Sequence, residues 1–204
     1  MRPALPRLHA ITDERVARRA DLKEVAHDLA AGGGTELAFH ARGRELSGLE
    51  HYDLAVRLSD SPSVRLFIND RLDIALATRA SGVQLGSGGL AVGDARRLQP
   101  AWWIGRSVHD LAEARAAQAE GADYLLVGPV FATPTHLGRA AIGLETLRAV
   151  VQLGLPAVAI GGVTPDRVLE VRRAGAWGVA AIRALWEAGD PAETARRMVE
   201  ELTQ

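Results

Sequence analysis

The sequence predicts an α/β protein built as a single (β/α)8 barrel, a TIM barrel, over residues 1–204. Two observations lead to this prediction. Short β-rich apolar runs alternate with longer segments of helical period, and there are eight of each. No glycine-rich nucleotide-binding fingerprint follows the first strand, as it usually does in an open doubly wound sheet. A closed barrel is therefore the better interpretation.

The predicted strands are short apolar runs bounded by polar or glycine-rich turns. In chain order they are Leu8–Thr12, Leu37–Ala41, Val64–Ile68, Gly82–Leu85, Trp103–Ser107, Tyr124–Gly128, Ala157–Gly161 and Gly178–Ile182. The predicted helices are roughly Ala20–Ala31, Gly48–Ser59, Leu72–Ala80, Val92–Leu98, Leu111–Glu120, Leu144–Leu153, Pro165–Ala174 and Ala192–Leu202. Thr164-Pro165 has the pattern of an N-cap and N1 proline, and Gly121 and Gly175 that of helix-ending glycines.

Composition narrows the functional classes. The chain is 48% hydrophobic with a formal net charge of −1, and its charges are interspersed, so neither a nucleic acid nor a membrane surface is an expected partner. It has no cysteine, which excludes disulfides, thiolate metal sites and cysteine nucleophiles. No signal-peptide pattern or membrane-length apolar run is present. We expect a cytoplasmic protein with a small-molecule ligand.

Residues just past the strand ends face the active site in barrels of this kind. The candidates here are mostly polar. They are Thr12, Asp13, His40, Arg42, Arg44, Asn69, Asp70, Arg71, Gln84, Ser87, Ser107, His109, Thr133, Thr135, His136, Gly161, Gly162 and Arg183.

Two sets of these candidate residues could bind an anion. Gly161-Gly162 runs into Thr164-Pro165, and such glycines let backbone N–H groups approach a phosphate at the end of strand seven, although a plain tight turn has the same pattern. Arg42 and Arg44 could clamp a phosphate or carboxylate, or could be ordinary surface arginines.

Other candidates suit a metal or a proton. Asp70 could bind magnesium if substrate phosphates add oxygen ligands, or could cap the next helix. His40, His109 and His136 stand near strand ends, where an imidazole can move protons near neutral pH. His9 lies within the first strand and is a weaker candidate.

Several motifs, in this order and spacing, resemble those of the thiamine phosphate synthase/TenI family over nearly the whole chain. They are Leu8–Asp13, Ile68–Arg71, Gly82–Leu85, Ile104–His109, Ala122–Tyr124, Gly128–Phe131 and Ala159–Gly162. The resemblance implies a barrel, a phosphorylated thiazole ligand and a homodimer. It places Ser107, Thr133, Thr135, Gly162, Ile182 and Arg183 beside the ligand.

The family contains two activities. The synthase joins a pyrimidine diphosphate to a thiazole phosphate and releases pyrophosphate with magnesium, whereas TenI is a thiazole tautomerase. Carried over from the synthase, the basic strand-two motif becomes His40, Arg42 and Arg44, with histidine for the usual glutamine and arginine for the usual lysine. Asp70 keeps the first metal carboxylate, but the second falls at Gly89.

Further departures concern single residues. The synthase lysine falls at His136, and arginine at 183 replaces the usual serine. The histidine credited with proton transfer in one kind of TenI falls at Pro129, so that assignment does not carry over.

From these departures we expect a thiazole tautomerase, an isomerase that needs no cofactor, with His40 or His136 moving the proton. His40 is preferred, because neighbouring Arg42 and Arg44 would keep it neutral. A synthase, with magnesium, and a non-catalytic thiazole phosphate binder remain the alternatives.

Overall fold

The computed structural model describes residues 3–61, 63–86, 88–133 and 140–204. Within them, eight parallel strands close into a barrel in chain order. The strands are β1 (Leu8–Ile11), β2 (Leu37–Ala41), β3 (Arg65–Asn69), β4 (Gly82–Leu85), β5 (Trp103–Val108), β6 (Tyr124–Val127), β7 (Ala157–Ile160) and β8 (Gly178–Ala181). The predicted (β/α)8 barrel is confirmed, and each strand lies within a residue or two of its predicted bounds.

The helices form the outer layer. They are α1 (Glu14–Ala17), α2 (Leu22–Gly33), α3 (Gly48–Ser59), α4 (Leu72–Ala77), α5 (Val92–Leu98), α6 (Leu111–Ala119), α7 (Gly143–Val151), α8 (Val168–Arg173), α9 (Arg183–Trp186) and α10 (Pro191–Thr203). The short helices α1 and α9 were not predicted, because four residues are too few to show a helical period. Both directly follow strands whose ends matter for the site.

Local sequence explains many boundaries. Ser47 and Glu50 form a reciprocal capping box at the start of α3. Gly121 and Gly175 take positive φ angles of 85° and 93° after α6 and α8, as predicted. Pro165 opens a 3₁₀ turn over Pro165–Arg167 rather than an α-helix, and the Thr164 side chain makes no capping hydrogen bond there.

Alternate strand residues point into the barrel or out to the helices. The interior core is a cluster made of Leu5, Ile11, Ala38, Phe67, Tyr124, Leu126, Val158 and Ala180. Since all strands are parallel, their carboxyl ends lie at one end of the barrel, where the candidate site residues gather. No helix in the described ranges is both long and apolar enough to cross a membrane.

Candidate active site

Two histidines meet inside the barrel, on neighbouring strands. Register pairs Ile11 of β1 with His40 of β2, and the side chain of His9 points into the same interior. His9 Nδ1 lies 2.8 Å from His40 Nε2, and both residues are fully buried. The His40 ring also stacks on Phe67, with centroids 4.9 Å apart and planes at 8°. His40 is therefore part of the interior beneath the site.

Both imidazoles are neutral near pH 7. Burial lowers the pKa of His9 from 6.5 to about 4, with the hydrogen bond to the Pro6 carbonyl opposing it. Burial, followed by the effect of His9, holds the pKa of His40 well below its usual value, with the adjacent Asn69 side chain opposing. The predicted direction was correct, but the predicted cause was wrong, because desolvation and His9, not Arg42 and Arg44, lower this pKa.

The chain after β2 is held in place by residues from the end of β1. The Thr12 hydroxyl and the backbone of Arg42 meet at 2.8 Å, with Thr12 accepting from Arg42 N or donating to Arg42 O. A Glu14 carboxylate oxygen accepts from the backbone N–H groups of Arg44 and Glu45. These contacts fix the backbone from which both arginine side chains project.

The two arginines differ in their surroundings. Burial, and then the charge of Arg44, lowers the pKa of Arg42 from its usual value. The carboxylates of Glu14, Asp13 and Asp70 act on the pKa of Arg42 in the opposite direction. Arg44 is exposed. β2 ends at Ala41, as predicted, so both arginines project from the chain that follows the strand.

Asp70 links the ends of β3 and β4. It has a positive φ of 59°, and its Oδ1 accepts from Gly86 N at 2.7 Å. It does not cap α4, whose first turn follows Arg71 without a side-chain cap. A β-carbon at Gly89 would lie 3.0 Å from Asp70 Oδ1, so position 89 adjoins this carboxylate as expected of a second metal ligand.

The donor set fits magnesium only with help from a ligand. In the described ranges no group of three His, Cys, Asp or Glu side chains could hold a metal ion. Of the two described positions 70 and 89, only position 70 carries a carboxylate. Magnesium is often held by one or two carboxylates together with substrate phosphate oxygens. The site thus fits a magnesium ion that arrives with a diphosphate.

The glycine pair after β7 has a backbone that only glycine adopts easily. Gly161 and Gly162 have φ angles of 93° and 65°. A β-carbon on Gly161 would lie 2.5 Å from Pro129 Cα, and one on Gly162 would lie 2.8 Å from the Ala132 oxygen. Both conformation and close approach therefore require glycine here.

A cavity of about 360 Å³ opens beside this pair. Its lining includes Gly161, Gly162, Ile182 and Arg183, which were predicted to hold a phosphate, and Thr133, which was predicted to contact the ligand. The short helix α9, which follows β8, contributes Arg183 and Ala184 to this lining. The cavity leaves room for the predicted phosphate.

A second, larger cavity of about 490 Å³ lies elsewhere. It is lined by Arg65, Ser81 and Trp103, among others, at the starts of β3, β4 and β5. That is the amino-terminal end of the barrel. In this fold, residues at that end serve stability rather than catalysis. We assign the active site to the smaller cavity and the adjoining ends of β2 to β4.

The remaining predicted residues have mixed outcomes. Ser107 accepts from Gln84 Nε2 at 3.0 Å within the barrel mouth. His109 Nδ1 lies 2.8 Å from a Glu113 oxygen at the start of α6, which ties it to that helix. Thr135 and His136 lie outside the described residues.

Sequence reasoning underrated His9, which it set aside as a residue within the first strand. The signal was present in strand parity. His9 lies two residues before Ile11, the register partner of His40, so an inward His40 implied that Ile11 and His9 also face inward.

Fold and site together define a class: a parallel (β/α)8 barrel with basic and glycine-rich groups at its carboxyl end. The model of the thiamine monophosphate synthase family matches residues 8–185. The chain belongs to this family.

Known relatives agree on the activity. The thiamine-phosphate synthase of Chloroflexus aurantiacus is 41% identical over 199 residues, covering 94% of this chain and 90% of that protein. That of Pyrococcus abyssi is 37% identical and covers 96% of each chain. The structure of thiamine phosphate pyrophosphorylase from Pyrococcus furiosus superposes with a TM-score of 0.83 at 33% identity, covering 97% of each chain.

The predicted tautomerase activity is wrong. These relatives are named as synthases, which are transferases, and not as TenI-type isomerases. The prediction gave too much weight to single departures at Gly89, His136 and His40. The proton-transfer role of His40 and His136 depended on tautomerisation and is withdrawn with it.

Proposed function

We propose that this protein is a thiamine phosphate synthase that joins a pyrimidine diphosphate to a thiazole phosphate and releases pyrophosphate. One structural observation carries the proposal beside the relatives' names. Two separate groups suited to anions, Arg42 with Arg44 and the cavity at Gly162 and Arg183, follow strands of the same barrel end. A transferase with two phosphorylated substrates needs two such groups, whereas a tautomerase needs one.

Arg42 and Arg44 would bind the diphosphate. Arg42 projects from the backbone that Thr12 fixes and is partly buried, so its guanidinium is partly desolvated and its attraction for an anion is strengthened. Arg44 adds charge at the exposed edge. Both guanidinium groups would stabilise the negative charge that develops on the departing pyrophosphate. A fixed cation accelerates such a step because it stabilises the transition state more than the ground state.

Asp70 would hold magnesium against the same diphosphate. When bound, that ion offsets negative charge on the leaving pyrophosphate. The Asp70 carboxylate acts on the pKa of Arg42, which supports placing both groups beside the same diphosphate.

The thiazole phosphate would occupy the 360 Å³ cavity. The glycine pair lets backbone approach the phosphate, and the Arg183 guanidinium adds a cation at the cavity wall. Glu187 also lines the cavity, but its carboxylate lies 3.4 Å from Arg15, which reduces its repulsion of an anion. Holding both substrates at one barrel end orients them for transfer.

The test separates the two substrates kinetically. Arg42→Ala should raise KM for the pyrimidine diphosphate about tenfold or more, and Arg183→Ala should do so for the thiazole phosphate. Arg79→Ala, which alters the cavity at the opposite end, is the matched control and should leave both KM values unchanged. If Arg42→Ala and Arg183→Ala weaken the same substrate, the assignment of two subsites is wrong.

A further inference from the structure

Four polar groups form a row inside the barrel: the Pro6 carbonyl, His9, His40 and Asn69. His9 Nε2 lies 3.0 Å from the Pro6 oxygen, and His9 Nδ1 lies 2.8 Å from His40 Nε2. Asn69 adjoins His40 closely enough to act on its pKa. The row leads from the interior to the end of β3, directly before Asp70.

The Pro6 carbonyl sets the direction of this row. A carbonyl oxygen can only accept, so His9 Nε2 must carry the hydrogen. Because burial keeps the His9 ring neutral, its Nδ1 has a lone pair and accepts from His40 Nε2. A neutral His40 has then used its only N–H group, and its Nδ1 faces outward as an acceptor. In the described part of the chain His40 Nδ1 has no hydrogen-bond partner.

Asn69 can supply the missing donor. Its Oδ1 is buried and likewise finds no donor among the residues the structure describes. Turning the carboxamide by half a turn exchanges oxygen and nitrogen in nearly the same space. Asn69 Nδ2 then donates to His40 Nδ1, and Oδ1 faces the carboxyl end of the barrel. The buried His40 Nδ1 then has a donor and Asn69 Oδ1 leaves its unpaired position, which favours this orientation because an unpaired buried polar group is unfavourable.

We infer that His9 is a positioning residue which, through His40, holds the Asn69 carboxamide with its oxygen toward the substrate. Resting on the proposed synthase function, this makes Asn69 an acceptor for an N–H group of the pyrimidine. A phosphate oxygen would be repelled by Asn69 Oδ1 and is kept on the side of Arg42 and Arg44. The buried histidines thus help to decide which end of the pyrimidine diphosphate lies against β3.

Imidazole ¹⁵N NMR on the substrate-free protein tests the tautomers directly. Both His9 and His40 should show a protonated Nε2 and an unprotonated Nδ1 near pH 7, and an Asn69 side-chain N–H should show contact with the His40 ring. A His40 ring protonated on Nδ1 would overturn the inference. This measurement needs no turnover, so it stands or fails separately from the synthase proposal.

Kinetics of matched variants give the second arm. His9→Phe keeps a ring but cannot accept from His40, so KM for the pyrimidine diphosphate should rise about tenfold while kcat stays within about threefold. His9→Gln can donate to Pro6 and accept from His40, and should recover most of that loss. Tyr124→Phe is the control, because its ring lies 5.9 Å from that of His9 and its hydroxyl takes no part in the row.

Each result bears on the inference. A KM change confined to His9→Phe and recovered in His9→Gln supports it. Equal changes in His9→Phe and Tyr124→Phe would show only disturbed packing and would overturn it. If His9→Phe does not fold, the tautomers of the unaltered protein decide the matter.

Discussion

The carboxylate of Asp70 lies directly beside position 89. A β-carbon on Gly89 would be 3.0 Å from Asp70 Oδ1. The two positions that would hold magnesium in the synthase pattern therefore meet in space, with only one carboxylate present. This relationship leads to the first prediction.

Gly89→Asp should strengthen magnesium binding by adding a second carboxylate beside Asp70. We expect the magnesium concentration that gives half-maximal rate to fall about tenfold, since a hard cation gains an oxygen ligand. The measurement is a magnesium titration of the initial rate. Gly88→Asp is the control, because a β-carbon there meets nothing within 4 Å and the residue does not adjoin Asp70. If Gly88→Asp strengthened magnesium binding equally, added negative charge alone would explain the effect.

Thr12 should affect the binding of a substrate it does not need to touch. Thr12→Val removes the hydroxyl that meets the Arg42 backbone, so the position of the guanidinium should loosen and KM for the pyrimidine diphosphate should rise about three- to tenfold. Steady-state kinetics with each substrate varied in turn measures this. Thr12→Ser keeps the hydroxyl and should stay near the unaltered protein; a matching loss in that variant would contradict the explanation.

β2 shows which features of the site could be predicted from the sequence. The bounds predicted for this strand, Leu37–Ala41, are the observed ones. The course of the chain beyond Ala41 was not predictable, because it depends on contacts from Thr12 and Glu14, which lie far from it in the sequence. The pairing of His9 with His40 is likewise a tertiary fact, although strand parity pointed toward it.

In the outer layer of the barrel, too, features set by local sequence were predicted and features set by tertiary contacts were not. The bounds of α3 and α5 were predicted to the residue, and those of α2, α7 and α10 to within two residues, because a helical pattern is local. The turns α1 and α9 are set by the strand ends that they follow and leave no such pattern. The activity was mispredicted for a related reason: a missing carboxylate at Gly89 is visible in the sequence, but whether a substrate compensates for it is not.

Gly162→Ala should destabilise the protein more than an alanine at another left-handed glycine. The positive φ costs about 1–2 kcal/mol, and the close approach to Ala132 and Phe131 adds overpacking, for a total of about 3 kcal/mol. Gly121→Ala is the control, with a φ of 85° but open space around its β-carbon. Urea unfolding measures both, and equal losses would show that the backbone conformation alone requires glycine.

The buried histidines should make stability depend on pH. Unfolded His9 binds a proton below about pH 6.5, whereas folded His9 stays neutral until about pH 4. The unfolded state therefore holds more protons in this window, and stability is lost as pH falls from 6.5 toward 4.

Each such group contributes a slope of up to about 1.4 kcal/mol per pH unit. His9→Phe should lower the slope of the unfolding free energy against pH by nearly the contribution of one proton. The contribution of His40 should remain. His27→Gln, at an exposed position on α2, should leave it unchanged. The free energy of unfolding in urea, measured from pH 4 to 7, checks this; an unaltered slope in His9→Phe would show that His9 does not stay neutral on folding.

The most direct test of the synthase proposal is product formation by the unaltered protein. Purified protein is incubated with the pyrimidine diphosphate, the thiazole phosphate and magnesium, and products are identified by chromatography and mass spectrometry. The account predicts thiamine phosphate and pyrophosphate in equal amounts, with neither formed when one substrate is omitted. Absence of thiamine phosphate at saturating substrates and magnesium, in protein shown to be folded, would contradict it.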